Sequence, residues 1–276
     1  DLEHVPLFEA VAKSITPKVA ALDRSFANPQ KIATLAWSYA KAAVYAPHLM
    51  DALAKATVDV ASRLLPVDVA NIAWAFAAVG ETDRRDLFEA LKDRALDVLE
   101  DLSSQELANL VWSFSNLDDA QPCRDIWLVL LDRRLDDFQH FDDVAKSQLQ
   151  QAYMRLSLDG ATSSTIPPLP ATWKDALQKA LSTSSVVGDL GSRTQTEVSD
   201  VLKHLGWVHT YEYFEAKSGL SLDMAKPEIK VAVEFDGPVH YFANKPWMLT
   251  GRSKLKRRLL DLVGWDIVYV DYRDWD

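Results

Sequence analysis

Three short segments of the chain align without gaps: LAWSYA (35–40), IAWAFA (72–77) and LVWSFS (110–115). They place Trp37, Trp74 and Trp112 at spacings of 37 and 38 residues. A period of this size is typical of stacked repeats, in which each unit buries its apolar face only against its neighbours. The sequence therefore predicts an array of repeats in the first half of the chain, with a continuous concave surface.

Each repeat unit contains a second motif in phase with the first. Its copies are LFEAVAK (7–13), LMDALAK (49–55), LFEALKD (87–93) and IWLVLLD (126–132). The first motif has a degenerate fourth copy, LQQAYM (149–154). Apolar residues recur at helical spacing in both motifs, so each unit is predicted to be two helices with one buried face apiece. Because the chain opens with a second-helix motif, we expect the array to extend upstream, and we expect the three Trp side chains to pack in its core.

This repeat pattern resembles the octotricopeptide repeats of organellar RNA-processing factors and the repeats of the FAST-kinase-like mitochondrial proteins. The resemblance covers roughly residues 5–157 and implies RNA as the partner. Polar side chains occupy one equivalent slot, three residues before the Trp position: Thr34, Asn71, Asn109 and Gln148. Two interpretations stay open, since such side chains read bases in some repeat proteins and hydrogen-bond adjacent repeats in others. Asn71 and Asn109 are the candidate RNA contacts.

Composition sets limits on the function. The lone Cys123 excludes an internal disulfide framework and a zinc cluster built on cysteines, and it points to a reducing compartment. No apolar run is long enough to span a bilayer, so we expect no membrane insertion. Because the chain begins at Asp1 without a basic leader, we expect a product from which a targeting segment has been removed.

Charge is distributed unevenly along the chain. Residues 1–160 carry 16 basic and 25 acidic side chains, whereas residues 161–276 carry 14 and 15. The acidic first part favours a protein partner. No carboxylate lies between Asp236 and Asp261, a stretch that holds six cations. This stretch is the best candidate for a surface that binds phosphate.

The second half changes from helical to mixed periodicity. Residues 158–170 are rich in Gly, Ser, Thr and Pro and are predicted to be a linker between helical repeats (1–157) and an α/β domain (171–276). In that domain the patterns predict the order αβββαβ, with a basic helix over 252–263 and a last strand after Gly264.

The segments VAVEFDGPVHYF (231–242) and TGRSKLKRRLLDLVGWDIVYVDYRDW (250–275) closely resemble the RAP domain. The matching positions are Asp223, Glu234, Asp236, Gly237, Pro238, His240, Leu255, Arg257, Leu260, Gly264, Trp265, Tyr272 and Trp275. Asp271 departs from the family, which generally has Pro there. The resemblance implies a restriction-endonuclease-like fold for this domain.

In nucleases of that fold, acidic groups on neighbouring strands hold Mg²⁺, which activates water on a phosphate. The resemblance makes Asp223 and Glu234 the candidate metal ligands, with Glu197 as a third ligand. Asp236 is a further candidate catalytic carboxylate, and His240 is a candidate general acid or base. Because Asp236 stands where such nucleases usually have Lys, we expect a site with reduced or lost chemistry and no cofactor, with Mg²⁺ bound only if the site is active.

The leading interpretation is an RNA-binding protein that is not an enzyme. It is expected in the mitochondrial matrix, or alternatively in a plastid, where it processes or stabilises messenger or ribosomal RNA or supports the ribosome. The predicted RNA contacts in the C-terminal domain are Tyr241, Trp247, Arg252, Lys254, Lys256, Arg257 and Arg258. The alternatives are a Mg²⁺-dependent endoribonuclease and a protein-interaction scaffold, whose acidic repeats dock on ribosomal or other basic subunits.

Overall fold

A computed structural model describes residues 4–23, 26–133, 138, 140–188, 193–215 and 217–275, without the side chains of 178 and 181–188. The first part of the described chain is helical. Its helices are α1 (Val5–Ala20), α2 (Pro29–Lys41), α3 (Pro47–Val60), α4 (Pro66–Ala78), α5 (Arg85–Asp97), α6 (Ser104–Ser115), α7 (Gln121–Arg133), α8 (Asp143–Leu158) and α9 (Ala171–Gly188). None of these helices is long and apolar enough to cross a membrane.

The helices form two layers. Helices α2, α4, α6 and α8 contact one another in sequence and form an inner layer. Helices α1, α3, α5 and α7 stack in the same order and form an outer layer. The predicted helix pairs α2–α3, α4–α5 and α6–α7 are therefore present, and the fold class predicted for this half is confirmed.

Local sequence signals set where the inner helices begin. The Asn28 side chain accepts a hydrogen bond from the Gln30 amide, and Pro29 opens α2. Ser103 and Glu106 form the capping box that the sequence predicts before α6. Asp142 caps α8 by accepting a hydrogen bond from the Ala145 amide. These caps bind amide groups that helical turns leave without partners.

Helix α9 differs from the prediction, which assigned it to the C-terminal domain. It packs against α8, and its Trp173 and Leu177 belong to the same apolar core as the repeats. The Trp173 ring stacks on Phe138 with a centroid distance of 4.2 Å. Because α9 packs in the core of the helical array, the array continues past the predicted boundary at residue 171.

The C-terminal domain has the predicted αβββαβ order with one additional hairpin. Its elements are α10 (Arg193–His204), β1 (Thr210–Glu215), β2 (Leu220–Lys226), β3 (Val231–Asp236), β4 (Tyr241–Phe242), β5 (Lys245–Leu249), α11 (Gly251–Leu262) and β6 (Asp266–Asp271). The main sheet has the order β1-β2-β3-β6, with β6 parallel to β3 and the other pairs antiparallel. Strands β4 and β5 form the separate hairpin.

Helix α11 lies between the sheet and the helical array. On one side, Leu260 packs with Leu222 and Ala232 of the sheet. On the other side, Leu255 and Leu259 pack with the inner layer of the array, at Ala77, Trp112 and Met154. A Cβ atom added to Gly251 would lie 1.8 Å from the Ala77 carbonyl oxygen, so α11 begins in direct contact with the backbone of α4.

Candidate functional site

Two buried carboxylates join the central strands of the sheet. The ladder between β2 and β3 extends to the pair Met224 and Val233. Immediately beyond it, Glu234 Oε1 accepts a hydrogen bond from the Asp223 amide at 2.9 Å, and Asp223 Oδ2 accepts one from the Phe235 amide at 2.8 Å. The side chains thus replace ladder bonds, and they satisfy buried amide groups that would otherwise lack acceptors.

Cations from α11 neutralise the carboxylates at this end of the sheet. Lys256 forms an ion pair with Glu234, and the neighbouring Arg257 forms one with Asp236. The Arg257 guanidinium also lies 3.6 Å from the centroid of the Tyr269 ring. Glu234 and Asp236 are both buried, so these pairs supply the opposite charge that a buried carboxylate requires.

The turn after β3 is tied to the start of α11. His240 Nδ1 lies 3.6 Å from Asp236 and 3.2 Å from the Ser253 hydroxyl. The Thr250 amide donates to the His240 carbonyl at 2.9 Å. Burial lowers the pKa of His240, which favours the neutral ring. Both Asp236 and His240 therefore hold the turn in place.

The carboxylates of this cluster do not fit a Mg²⁺ site. Both Glu234 oxygens are engaged, by Lys256 and by the Asp223 amide. Glu197, the predicted third ligand, is exposed on α10 and pairs with Arg193 at 3.0 Å. Across the described ranges, no three His, Cys, Asp or Glu side chains are grouped as a metal site would require. Position 236 is Asp, where nucleases of this fold, as noted above, usually have Lys. The cation beside Glu234 is instead Lys256 of α11, a placement that the sequence spacing did not indicate.

Burial raises the pKa of Glu234 to about 7, because desolvation and the nearby Asp223 outweigh the attraction of Lys256. Burial lowers the pKa of Lys256, but Glu234 and Asp223 raise it by more, so this side chain stays charged. Lys256 therefore pairs with Glu234 while the charge of Asp223 lies nearby, and Glu234 takes up a proton near neutral pH.

This protonation predicts a pH dependence of stability. In the unfolded chain Glu234 titrates near its ordinary pKa of 4.5, whereas in the folded chain its pKa is about 7. Between these values the folded state holds the extra proton, so the free energy of unfolding falls as pH rises from about 4.5 to 7, by on the order of 3 kcal/mol. In Glu234→Gln this contribution is absent, and urea unfolding at pH 5 and pH 7 measures the difference.

The matched control for this measurement is Glu197→Gln, which alters an exposed carboxylate. It should retain the pH dependence of the wild-type protein. An equal change in stability with pH in the wild type and in Glu234→Gln would contradict the assignment.

Most of the cations in the predicted open basic face over 252–258 are engaged by other groups of the protein. Lys256 and Arg257 pair with buried carboxylates, as described above. Arg258 donates to the carbonyl groups of Asn116 and Leu117 at 3.0 Å and pairs with Asp118 at the end of α6. Lys254 Nζ lies 3.4 Å from the Gly80 carbonyl oxygen, just beyond α4. The prediction of a continuous phosphate-binding helix is therefore wrong, because α11 uses these cations to hold the sheet and the array together.

Tyr241 is a second correction. Its ring is buried, and its hydroxyl group donates to Asp271 at 2.9 Å. Burial and, to a lesser extent, that hydrogen bond raise the pKa of Tyr241. A side chain held in this way cannot stack on a base, so Tyr241 belongs to the domain interior.

The β4–β5 hairpin presents an exposed aromatic side chain beside cations. Trp247 is 66% exposed, and Lys245 Nζ lies 5.4 Å from its ring centroid. Arg252 is exposed at the start of α11, directly after the hairpin. Trp247 and Arg252 are predicted RNA contacts that the fold leaves accessible, and Lys254 is exposed as well. Lys245 is absent from the RNA contacts predicted from the sequence, although it lies in the same stretch without carboxylates.

The polar slots of the repeats differ from one another in their contacts. Gln148 Nε2 donates to Asn109 Oδ1 at 2.9 Å, so this pair links α6 to α8 as the inter-repeat interpretation expects. Asn71 is half-buried, and Thr34 bonds within its own helix, to the Gln30 carbonyl at 2.8 Å. Asn109 is therefore a structural contact between repeats.

The Trp side chains do not pack in the core of the array. Trp112 is buried against Leu255 and Leu259 of α11, and its indole nitrogen donates to Gln151 at 3.0 Å. Trp74 is partly buried at the same interface, whereas Trp37 is 41% exposed. The Trp face of the inner layer is thus the docking face for the C-terminal domain.

The architecture defines a class: an array of helix pairs joined through a basic helix to a small α/β domain. Residues 233–276 match the family model of the RAP domain. The chain is also similar to a RAP domain-containing protein, chloroplastic, from Oryza sativa subsp. japonica, with 32% identity over 85 residues. That alignment covers 31% of this chain and 13% of the relative. The RAP resemblance is confirmed, and the likeness of the helix pairs to octotricopeptide repeats remains a prediction.

Proposed function

We propose that this protein binds single-stranded RNA through the β4–β5 hairpin and acts on organellar transcripts or ribosomal RNA without cleaving them. The observation that carries the proposal is the pairing of Lys245 with the exposed ring of Trp247. Aromatic rings stack on unpaired bases, and adjacent cations neutralise phosphate. RAP domains are often associated with RNA, which supports the same conclusion.

The non-catalytic part of the proposal rests on the buried charge cluster. A catalytic metal must be open to substrate, whereas Asp223 and Glu234 are buried and hydrogen-bonded to backbone amides. Lys256 neutralises Glu234 from the side of α11. In this interpretation the cluster stabilises the sheet, and no cofactor is needed.

We place the protein in an organelle. The chloroplastic relative favours a plastid over the mitochondrial matrix expected from the sequence. The net acidic charge of residues 1–160 suits basic protein partners, such as ribosomal subunits, because complementary charge steers association. In this arrangement the array contacts protein while the hairpin contacts RNA.

The experiment is a titration of a labelled, unstructured RNA of about 20 nucleotides, followed by fluorescence anisotropy at graded salt. We expect Trp247→Ala to raise Kd about tenfold, because one base loses its stacking partner. We expect Lys245→Gln combined with Arg252→Gln to reduce the slope of log affinity against log salt by about 1.4, which corresponds to two phosphate contacts on a single strand.

Lys203→Gln is the control, since this exposed lysine lies on α10 and pairs with Asp200. Its affinity and salt slope should match the wild type. A wild-type slope that indicates fewer than about two phosphate contacts would refute RNA binding. Cleavage of the RNA in Mg²⁺ that disappears in Asp223→Asn would refute the non-catalytic part.

A further inference from the structure

Helix α2 differs in charge from the acidic array around it. No Asp or Glu occurs between Asp23 and Asp51, although residues 1–160 contain 25 acidic side chains. Within α2, the exposed side chains are Gln30, Lys31, Thr34, Trp37 and Lys41. Residues 30, 34, 37 and 41 follow the three-and-four spacing of a single helix face. The α2 face, defined by these five residues, is therefore cationic and aromatic, with no carboxylate of its own.

The exposure of Trp37 follows from where α11 begins. Trp37, Trp74 and Trp112 occupy the same position in successive inner helices. Helix α11 covers Trp112, which is 5% exposed, and partly covers Trp74. It starts at Gly251 against α4, one helix short of α2, which leaves Trp37 at 41% exposure. An exposed indole flanked by lysines on a face without carboxylates suits a stacking partner that carries negative charge.

The α2 face continues into the hairpin of the proposed RNA site. The Ala243 amide donates to the Ala43 carbonyl at 2.8 Å, and Asn244 exchanges two hydrogen bonds with the backbone of Tyr45. Lys41 lies two residues before Ala43, and Lys245 lies two residues after Ala243. Backbone dimensions therefore keep the Cα atoms of Lys41 and Lys245 within about 22 Å.

We infer that the α2 face is a second contact surface for the same single-stranded RNA, with Trp37 as a base-stacking platform and Lys31 and Lys41 as phosphate contacts. The inference rests on the proposed function and extends it, because it directs the strand from the hairpin onto the inner layer of the array. Within the described part of the chain neither lysine has a carboxylate partner, so both charges remain available for phosphate.

The test uses the full chain and two RNAs, of about 20 and about 6 nucleotides, since sites of this type span about 4 to 16 nucleotides. We expect Trp37→Ala to raise Kd for the longer RNA about tenfold and to change Kd for the shorter RNA less than about threefold. We expect Trp37→Phe, which keeps an aromatic ring, to restore most of the affinity. Lys31→Gln combined with Lys41→Gln should lower the salt slope for the longer RNA by about 1.4.

Lys55→Gln, an exposed lysine on the outer helix α3, is the matched control and should leave affinity and slope unchanged. Circular dichroism of each variant verifies folding. If Trp247→Ala weakens the longer RNA and Trp37→Ala does not, the α2 inference is overturned while the proposed function stands. If the wild type binds neither RNA, both are overturned. Loss of a ribonuclease-resistant protein partner in Trp37→Ala, with RNA affinity unchanged, would identify the face as a protein-docking surface and overturn the inference.

Discussion

We expect Lys256→Met to lower the free energy of unfolding by about 3 kcal/mol at pH 8, because it removes the cation from a buried carboxylate. Glu234 would then have to remain protonated in the folded state. Since Glu234 in the wild type is largely ionised above its pKa of about 7, the loss should be greater at pH 8 than at pH 6. Chemical unfolding followed by circular dichroism at the two pH values measures both quantities.

Two further variants make this result specific. Arg252→Met changes an exposed arginine four residues away on the same helix. Its effect should stay within about 0.5 kcal/mol. The double variant Lys256→Met/Glu234→Gln removes both charges and should recover part of the lost stability. Equal losses in Lys256→Met and Arg252→Met would show that the ion pair with Glu234 contributes nothing specific.

The helical architecture could be predicted because its signals are local. The Trp-centred motif fixes the phase of each inner helix, and the capping box of Ser103 and Glu106 marks where α6 begins. The order of elements in the α/β domain follows from changes in periodicity along the chain. Periodicity does not show which element packs against a given apolar face of a helix. It identified the side of α6 that carries Trp112, but the side chains that cover it come from α11, more than a hundred residues later.

The same reason explains the failure of the predicted basic face. The stretch after Asp236 contains no carboxylate, and this local fact favoured an open cationic helix. The carboxylates arrive from elsewhere: Glu234 and Asp236 from β3, and Asp118 from the end of α6. Charge along the sequence therefore gave no measure of charge in space. Trp247, one of the predicted RNA contacts, is exposed on the β4–β5 hairpin.

Arg258 and Lys254 explain how α11 recognises the array. Their partners are carbonyl groups just beyond the C-terminal ends of α6 and α4. Helix C-terminal ends carry partial negative charge and acceptors without helical partners, so cations stabilise them. The repeat of inner helices thus presents a row of equivalent acceptors, and two cations four residues apart on α11 reach two of them. This arrangement joins the domain to the array through backbone carbonyl groups, with the Asp118 side chain as a further partner of Arg258.

The second large effect is expected for Gly251→Ala. The added Cβ would lie 1.8 Å from the Ala77 carbonyl oxygen and 2.9 Å from its carbonyl carbon, so α11 and α4 must separate. Overpacking of this kind costs about 1 to 3 kcal/mol, which exceeds the gain of up to about 1 kcal/mol from replacing Gly by Ala in a helix. The free energy of unfolding should therefore fall, and amide hydrogen exchange should accelerate at the contact between α4 and α11.

Gly160→Ala is the matched control for Gly251→Ala, since no atom lies within 4 Å of the Cβ position at Gly160. Its stability should remain within about 0.5 kcal/mol of the wild type. If Gly251→Ala is as stable as Gly160→Ala and keeps wild-type exchange at α4, the close backbone contact does not hold the two units together. The cations Lys254 and Arg258 would then have to provide the attachment alone, although Lys254 is exposed and Arg258 is only partly buried.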